Sequence, residues 1–218
     1  MYINWNEFMK ILRGEFIKNN SNVTEGMIRY WFAEGVRCVV ENLSIEESYF
    51  GNKIILNKSK PQLCPPNKNE LHADLYFEKA NKSYVFEFKY DRGTDYTEMV
   101  GKAFNDLNRL SVIDNDEKYF VYVFTERVKI YYQNKFNGMF DINDSQTTHS
   151  VNGNFHWWNK SFPKSFLNKA FKSFVGKHTD FSAFDYTVEV CYSKEIATYT
   201  TNKGEMDKIY MLILRVNK

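Results

Sequence analysis

The stretch that decides the fold runs from Leu71 to Tyr90 and reads Leu-His-Ala-Asp-Leu-Tyr-Phe-Glu-Lys-Ala-Asn-Lys-Ser-Tyr-Val-Phe-Glu-Phe-Lys-Tyr. Apolar and polar residues alternate in both halves, which predicts two β-strands joined by a tight turn centred on Ala80 and Asn81. Successive side chains of a strand point to opposite faces, so one face of this hairpin is predicted to be apolar. Its members are Leu71, Ala73, Leu75, Phe77, Tyr84, Phe86, Phe88 and Tyr90.

The opposite face of the hairpin carries the polar chemistry. Counting outwards from the turn places Asp74 opposite Glu87, with Lys89 two residues further along the same face. Opposed side chains lie about 5 Å apart at Cβ, close enough for two carboxylates to share one divalent cation. Without a cation we expect the two acids to repel each other by a few tenths to about 1 kcal/mol. Lys89 is placed to hold an attacking water or to stabilise charge on a phosphate.

At these residues the sequence resembles the PD-(D/E)xK nuclease superfamily, whose motif is an acid on one strand and Glu-x-Lys on the next. The corresponding residues here are Asp74, Glu87 and Lys89, while Ala73 stands where the family name has proline. The resemblance implies that the two acids bind Mg²⁺ or Mn²⁺, that the backbone carbonyl of Phe88 assists, and that the lysine positions or activates the nucleophilic water. It covers about a third of the chain.

A simpler interpretation is an exposed hairpin face with ordinary charges, in which a salt bridge between Glu87 and Lys89 contributes little. The neighbours of these two residues argue against it. Tyr84, Val85, Phe86 and Phe88 form an apolar run typical of a central strand, where an unpaired charge is costly. This context favours a functional pair.

Composition limits the class of protein. The chain has 218 residues, 43% of them hydrophobic and 17% aromatic, which is typical of one globular domain rather than of a disordered protein. We expect a nuclease-like core over about residues 20–126 and a C-terminal α/β elaboration over about 127–218. A formal net charge of +2 permits a nucleic-acid partner but requires local clustering of the basic residues. Three widely spaced cysteines and the lack of a long apolar run predict a cytoplasmic protein without a membrane span.

Helical spacing of apolar residues predicts helices over residues 5–18, 24–42 and 97–112. The resemblance implies a further metal-binding acid on the helix before the sheet. Glu25 is the first candidate and Glu34 the second, although Glu25 is also explained by the favourable helix dipole in the first turn. Lys102 and Asn105 on the third helix are secondary candidates, although the sequence favours a solvated helix lysine for Lys102.

The other predicted elements follow from shorter patterns. They are a hairpin of residues 44–50 and 53–56, a buried strand 119–124 pairing in parallel after the third helix, a strand 128–133, a loop 141–154, a helix 162–175, and strands 186–192 and 209–216. Lys164, Lys169 and Lys172 could contact a nucleic-acid backbone or simply be solvated. The sequence His156-Trp157-Trp158 could stack on bases, but its aromatic residues favour the core.

Together these observations predict a single α/β domain in which helices flank a central mixed β-sheet, resembling the restriction-endonuclease-like fold. The function that the resemblance implies is metal-dependent hydrolysis of phosphodiester bonds, with DNA favoured over RNA and Mg²⁺ or Mn²⁺ as cofactor. The alternative is a module of the same fold that binds nucleic acid or a protein without cutting. Because cutting both strands of a duplex often uses two active sites, a homodimer is also compatible with this function.

Overall fold

The hairpin is present in the computed structural model with the predicted register. Leu75 pairs with Phe86, Phe77 with Tyr84, and Lys79 with Lys82, so that a two-residue turn joins the strands. The structure describes residues 5–19, 22–36, 41–45, 73–93, 96–113, 115–136, 148–151, 156–157, 160–161, 185–201 and 203–217. The predicted register is therefore confirmed, and Asp74 lies immediately before the first strand of the hairpin.

Within these residues the elements follow the chain in the order helix, helix, strands, helix, strand, helix, strands. They are α1 (Trp5–Asn19), α2 (Glu25–Val36), β1 (Glu41–Ile45), β2 (Leu75–Lys79), β3 (Lys82–Asp91), α3 (Tyr96–Val112), β4 (Glu117–Thr125), α4 (Glu126–Phe136), β5 (Thr148–Val151), β6 (His156–Trp157), β7 (Lys160–Ser161), β8 (Tyr186–Thr200) and β9 (Met206–Asn217). The strands β6 and β7 form a separate two-stranded sheet.

The described strands otherwise form one mixed sheet of seven strands in the order β1-β2-β3-β4-β9-β8-β5. Pairing is parallel between β3 and β4, which α3 connects, and antiparallel at the other interfaces. The predicted parallel pairing of the buried strand after α3 is thus confirmed. Since β9 pairs with β4, the sheet joins the predicted core to the C-terminal part of the chain.

The two faces of β3 meet different helices. On one face Phe86 and Phe88 pack on Phe32 of α2, with ring centroids 4.8 and 5.5 Å away. This apolar face of the hairpin joins the core formed with α1 and α2, as predicted from the alternation. On the opposite face, side chains of α3 contact Glu87 and Lys89. The polar face of β3 is therefore buried under a helix, and charged residues there need partners.

The turn of the hairpin requires an unusual backbone conformation. Ala80 and Asn81 have φ values of 49° and 61°, which is the left-handed region at both central positions and is characteristic of a type I′ turn. Alanine is disfavoured there because its Cβ crowds the following carbonyl oxygen.

We therefore expect Ala80→Gly to stabilise the protein by about 0.5 to 1 kcal/mol. Glycine removes the strain of the left-handed backbone, and this gain in free energy exceeds the cost of the greater conformational entropy of glycine in the unfolded state. Chemical unfolding measures this difference. Ala33→Gly is the matched control, since Ala33 is buried in α2 and the change should cost about 1 kcal/mol or more. A loss of stability in Ala80→Gly would contradict the assigned turn.

Several sequence predictions were wrong. The helix predicted to residue 42 ends at Val36, and Glu41 already lies in β1, because strand pairing with β2 outweighs the helical spacing. The strand predicted over residues 128–133 is part of helix α4, in which Val128 is buried and Ile130 is exposed. Residues 148–151, predicted as loop, form β5 by pairing with β8. Such pairing depends on a distant partner and is invisible in a short polar segment.

Other predictions lie outside the described residues. They are most of the hairpin at 44–50 and 53–56, Trp158, and the helix 162–175 with Lys164, Lys169 and Lys172. The strands predicted at 186–192 and 209–216 are confirmed and extend further as β8 and β9. No helix among the described residues is long and apolar enough to cross a membrane.

Candidate functional site

The candidate site lies where β3 continues past the start of β2. The strand β2 begins at Leu75, whereas β3 runs on to Asp91, so among the described residues the end of β3 has no strand partner on this side. Two carboxylates accept backbone hydrogen bonds of β3 at this position, as the carbonyl groups of a neighbouring strand would. The Phe88 backbone N–H donates to Asp74 Oδ2 at 2.7 Å, and the Tyr90 N–H donates to Glu25 Oε2 at 3.0 Å.

This arrangement also directs a main-chain oxygen to the site. In a β-strand the N–H and C=O of one residue point to the same side. Because the Phe88 N–H faces Asp74, its carbonyl faces the same open edge of β3. The oxygen that the resemblance implies as a metal ligand is thus on the side of the two acids.

Glu87 is the most deeply buried acid of the site, at 2% exposure. Its Oε1 lies 3.1 Å from Nη2 of Arg109, a residue of α3. Burial raises the pKa of Glu87 well above its usual value, and the positive charge of Arg109 opposes this rise. The negative charge of Asp74, immediately before β2, raises the pKa of Glu87 further. The carboxyl group therefore depends on a nearby positive charge to ionise.

Lys89 reaches two acids from different helices. Its Nζ lies 3.1 Å from Asp106 Oδ2 on α3 and 3.7 Å from Glu25 Oε2 on α2. Burial alone would lower the pKa of Lys89, but the carboxylates of Asp106 and Glu25 outweigh it, so the pKa lies above its usual value. The raised pKa favours the protonated, positively charged form of Lys89 at neutral pH, which suits a stabilising charge better than a general base.

Asp74 has a basic partner as well. Its Oδ1 lies 3.1 Å from Nη1 of Arg29, whose side chain is 8% exposed. The sequence predicted that Asp74 and Glu87, without a cation, would repel each other and weaken the hairpin. That prediction did not include Arg29 and Arg109, which place a positive charge beside each acid. The expected net repulsion is therefore replaced by two ion pairs.

We call these interacting residues the charged cluster; its members are Glu25, Arg29, Asp74, Glu87, Lys89, Asp106 and Arg109. Three elements supply them. The hairpin contributes the motif residues, α2 contributes Glu25 and Arg29 one turn apart, and α3 contributes Asp106 and Arg109 at i and i+3. The helices cover opposite faces of β3, and charged side chains of both helices reach Lys89, beyond the start of β2.

The donor chemistry of the cluster suits Mg²⁺ or Mn²⁺, which prefer carboxylate and carbonyl oxygens. Glu87 Oε1 and Asp106 Oδ2 are buried and accept no well-directed hydrogen bond, although each lies 3.1 Å from a basic nitrogen. Among the described residues, however, no three His, Cys, Asp or Glu side chains are arranged closely enough to hold a metal ion. The oxygen atoms of these residues are of the type that binds such a metal ion. In this arrangement, however, basic groups neutralise the carboxylates.

The residues predicted to have secondary roles differ in their positions relative to the charged cluster. Glu25 lies in the charged cluster, whereas Glu34 is exposed and lies nine residues further along α2, about 13 Å along the helix axis. Lys102 is half-buried and lies one turn before Asp106 on the same side of α3, so its secondary role stays a prediction. Asn105 belongs to α3, but its side chain is outside the described part of the structure.

Sequence reasoning missed Arg29, Asp106 and Arg109. A signal for the last two was present, because both flank the apolar positions Leu107 and Leu110 that predicted the buried side of the helix. Charges that border a buried stripe at i and i+3 favour a partner on the sheet. For Arg29 the signal was its position four residues after Glu25.

A pocket of about 320 Å³ opens beside the charged cluster and gives it access to solvent. Its lining consists of Thr24, Glu25, Tyr90, Arg92 and Met99. Glu25 is shared between pocket and cluster, and the Arg92 guanidinium lies 5.1 Å from the centroid of the Tyr90 ring. A ligand entering here would meet one acid of the cluster first.

We compared the chain with protein-family models, with curated proteins and with solved structures, and none of the three comparisons gave a match.

Proposed function

We propose that this chain is a metal-dependent nuclease of the PD-(D/E)xK type with a restriction-endonuclease-like fold, which hydrolyses phosphodiester bonds, preferably in DNA. One observation carries the proposal. Asp74 and the Glu87-x-Lys89 pair meet at the end of β3 that extends past the start of β2, in the register that the motif requires, and Glu25 joins them from the preceding helix. The α/β architecture with a mixed sheet is compatible with the proposed fold.

Asp74, Glu87, Glu25 and the Phe88 carbonyl are the groups proposed to hold Mg²⁺ or Mn²⁺. When bound, such an ion would polarise the phosphate and lower the pKa of a water molecule. The protein must supply rigid placement, and burial does so here. The backbone of β3 fixes Glu87 and Lys89, and the hydrogen bond from the Phe88 N–H fixes Asp74.

Lys89 is proposed to act through its charge. Since its pKa is raised by Asp106 and Glu25, the ammonium group stays protonated and can donate hydrogen bonds to a phosphate oxygen or to the attacking water. Asp106 holds this ammonium at 3.1 Å on one side. The role of the lysine is thus to position the nucleophile and to stabilise developing negative charge, not to remove a proton.

A second candidate function is supported by a specific observation. Every acid of the charged cluster has a basic residue within 4 Å, with distances from 3.1 to 3.7 Å for the pairs of Asp74, Glu87, Asp106 and Glu25. Such internal neutralisation would suit a non-catalytic module that binds nucleic acid or a protein on the same fold. The two functions differ in whether the cluster takes up a divalent cation.

A divalent-cation titration separates them. If the nuclease proposal is correct, Mg²⁺ at about 100 times its Kd should stabilise the protein by about 2.7 kcal/mol, which raises the melting temperature by about 5 to 10 °C. Asp74→Ala should abolish this shift, whereas Glu78→Ala, which removes an acid of β2 outside the cluster, should retain it. Cleavage of plasmid and single-stranded DNA with a chelator control completes the test. No shift and no cleavage would favour the non-catalytic module.

A further inference from the structure

Arg109 contacts more than one acid of the charged cluster. Its Nη2 lies 3.1 Å from Glu87 Oε1, and its Nη1 lies 3.5 Å from Asp106 Oδ1. The Arg109 side chain is 17% exposed, and those of Glu87 and Asp106 are 3% and 7% exposed. Buried carboxylates of this kind need a compensating charge, and the guanidinium supplies it.

The charge balance of the cluster leaves little room for a divalent cation. Among the described residues of the cluster, four carboxylates face three basic groups, so these seven residues carry one negative charge in excess when all are ionised. A divalent ion added to this arrangement would make the sum positive and would lie close to a guanidinium. Like charges at a few ångströms in a partly buried site repel strongly. One basic group must therefore withdraw when the ion enters.

We propose that Arg109 is the counter-ion that a divalent cation displaces at Glu87, so that this arginine sets the affinity of the site for metal. The inference rests on the proposed function, because it assumes that the cluster is a cation site. It assigns a role to a residue outside the motif, and it accounts for the absence of a three-acid metal group among the described residues.

Arg109 is better placed to withdraw than the other two cations. It lies in the last turn of α3, and its side chain is about twice as exposed as that of Arg29, at 17% against 8%. Lys89 is held between two acids on different helices. A long arginine side chain can move its charged end to solvent while its stem stays packed.

The sign of the effect follows from charge. Removal of Arg109 makes the electrostatic potential at Glu87 more negative, which strengthens the binding of both protons and metal. A divalent ion carries twice the charge of a proton and so gains about twice as much from the same change in potential. The affinity of the site for metal therefore rises more than its affinity for protons. The loss of the competing guanidinium raises the affinity for metal further.

The test is a calorimetric titration with Mn²⁺ alone at constant pH on wild type, Arg109→Gln and a matched control. Arg215→Gln is the control, since Arg215 forms a 2.9 Å ion pair with Glu117 at the opposite end of β4. We expect Arg109→Gln to bind Mn²⁺ at least about tenfold more tightly than wild type, and Arg215→Gln to bind like wild type. Arg109→Lys, which keeps the positive charge, should remain close to wild type.

The outcomes distinguish the inference from the function on which it rests. If wild type binds Mn²⁺ and Arg109→Gln binds equally or less tightly, Arg109 does not compete and the inference is overturned, while the proposed metal site stands. If neither binds, both are overturned. Tight binding by Arg109→Gln alone supports both the site and its occupation by arginine.

A measurement on the wild type covers the case in which Arg109→Gln does not fold. The Arg109 Nε–H resonance, assigned with Arg109→Lys, is followed by NMR during titration with Mg²⁺. Displacement should shift this resonance and speed its exchange with water. A resonance that stays unchanged while others in the cluster move would overturn the inference, and a spectrum without any change would overturn the metal site as well.

Discussion

Lys89→Ala should lower the rate of DNA cleavage by about 10²- to 10³-fold and change the affinity for DNA only slightly. The rate falls because a fixed positive charge beside the reacting phosphate is lost, an effect of the size seen when a preorganised donor is removed. Affinity changes little, since one charge among many backbone contacts contributes modestly. Single-turnover cleavage and equilibrium binding, measured at the same salt concentration, separate the two quantities.

The structure adds a control to this experiment. Lys89→Ala leaves Asp106 without its 3.1 Å partner and should destabilise the fold, so a lower rate alone would be ambiguous. In the double variant Lys89→Ala with Asp106→Asn, the acid that has lost its lysine partner is neutralised. We expect this variant to regain stability but not cleavage. Lys118→Ala removes a buried lysine of the neighbouring strand β4 and should leave the rate unchanged. If Lys89→Ala cuts as fast as wild type, the site lies elsewhere.

Asp74→Ala should cost about 3 kcal/mol of unfolding free energy in metal-free buffer. The change removes the carboxylate 3.1 Å from Arg29, a largely buried guanidinium, and also removes the acceptor of the Phe88 N–H. Breaking one side of a buried ion pair costs about 3 to 5 kcal/mol, and the 20% exposure of the Asp74 side chain places the estimate at the lower end. Urea unfolding with chelator present measures the loss.

The direction of this effect distinguishes two descriptions of the hairpin. If repulsion between Asp74 and Glu87 dominated, Asp74→Ala would stabilise the protein, and that result would contradict the role of the arginine partners. Glu78→Ala, in the adjacent strand β2, should cost less than about 1 kcal/mol. A double-mutant cycle of Asp74→Ala with Arg29→Met should show a coupling of about 1 to 3 kcal/mol.

Local patterns determined the hairpin and the motif. The alternation in residues 71–90 specified which side chains share a face, and the two turn residues specified the register, because both depend on neighbours close in sequence. Asp74, Glu87 and Lys89 could therefore be brought together from the sequence alone. The helices α1 and α3 were predicted for the same reason, since their apolar spacing is strong. The parallel pairing of β4 was predicted from the order of the elements, because a buried strand that follows a strand and a helix favours a crossover connection.

Elements that depend on distant partners could not be predicted in this way. The strand β5 exists by pairing with β8, and the sequence 128–133 alternates like a strand but forms a helix directly after β4. The alternating pattern in this segment is too short to distinguish the period of a strand from that of a helix. Pairing and packing between remote segments decide such cases.

The sequence by itself determined the acids and the lysine of the candidate site, and the tertiary structure decided what surrounds them. Arg29 and Arg109 reach Asp74 and Glu87 because α2 and α3 cover opposite faces of β3, and charged side chains of both helices meet at Lys89, beyond the start of β2. No local pattern encodes that meeting, because it depends on how the helices dock on the sheet. The physical reason for the pairing is desolvation, since carboxylates buried by docked helices require positive partners that an isolated hairpin would not need.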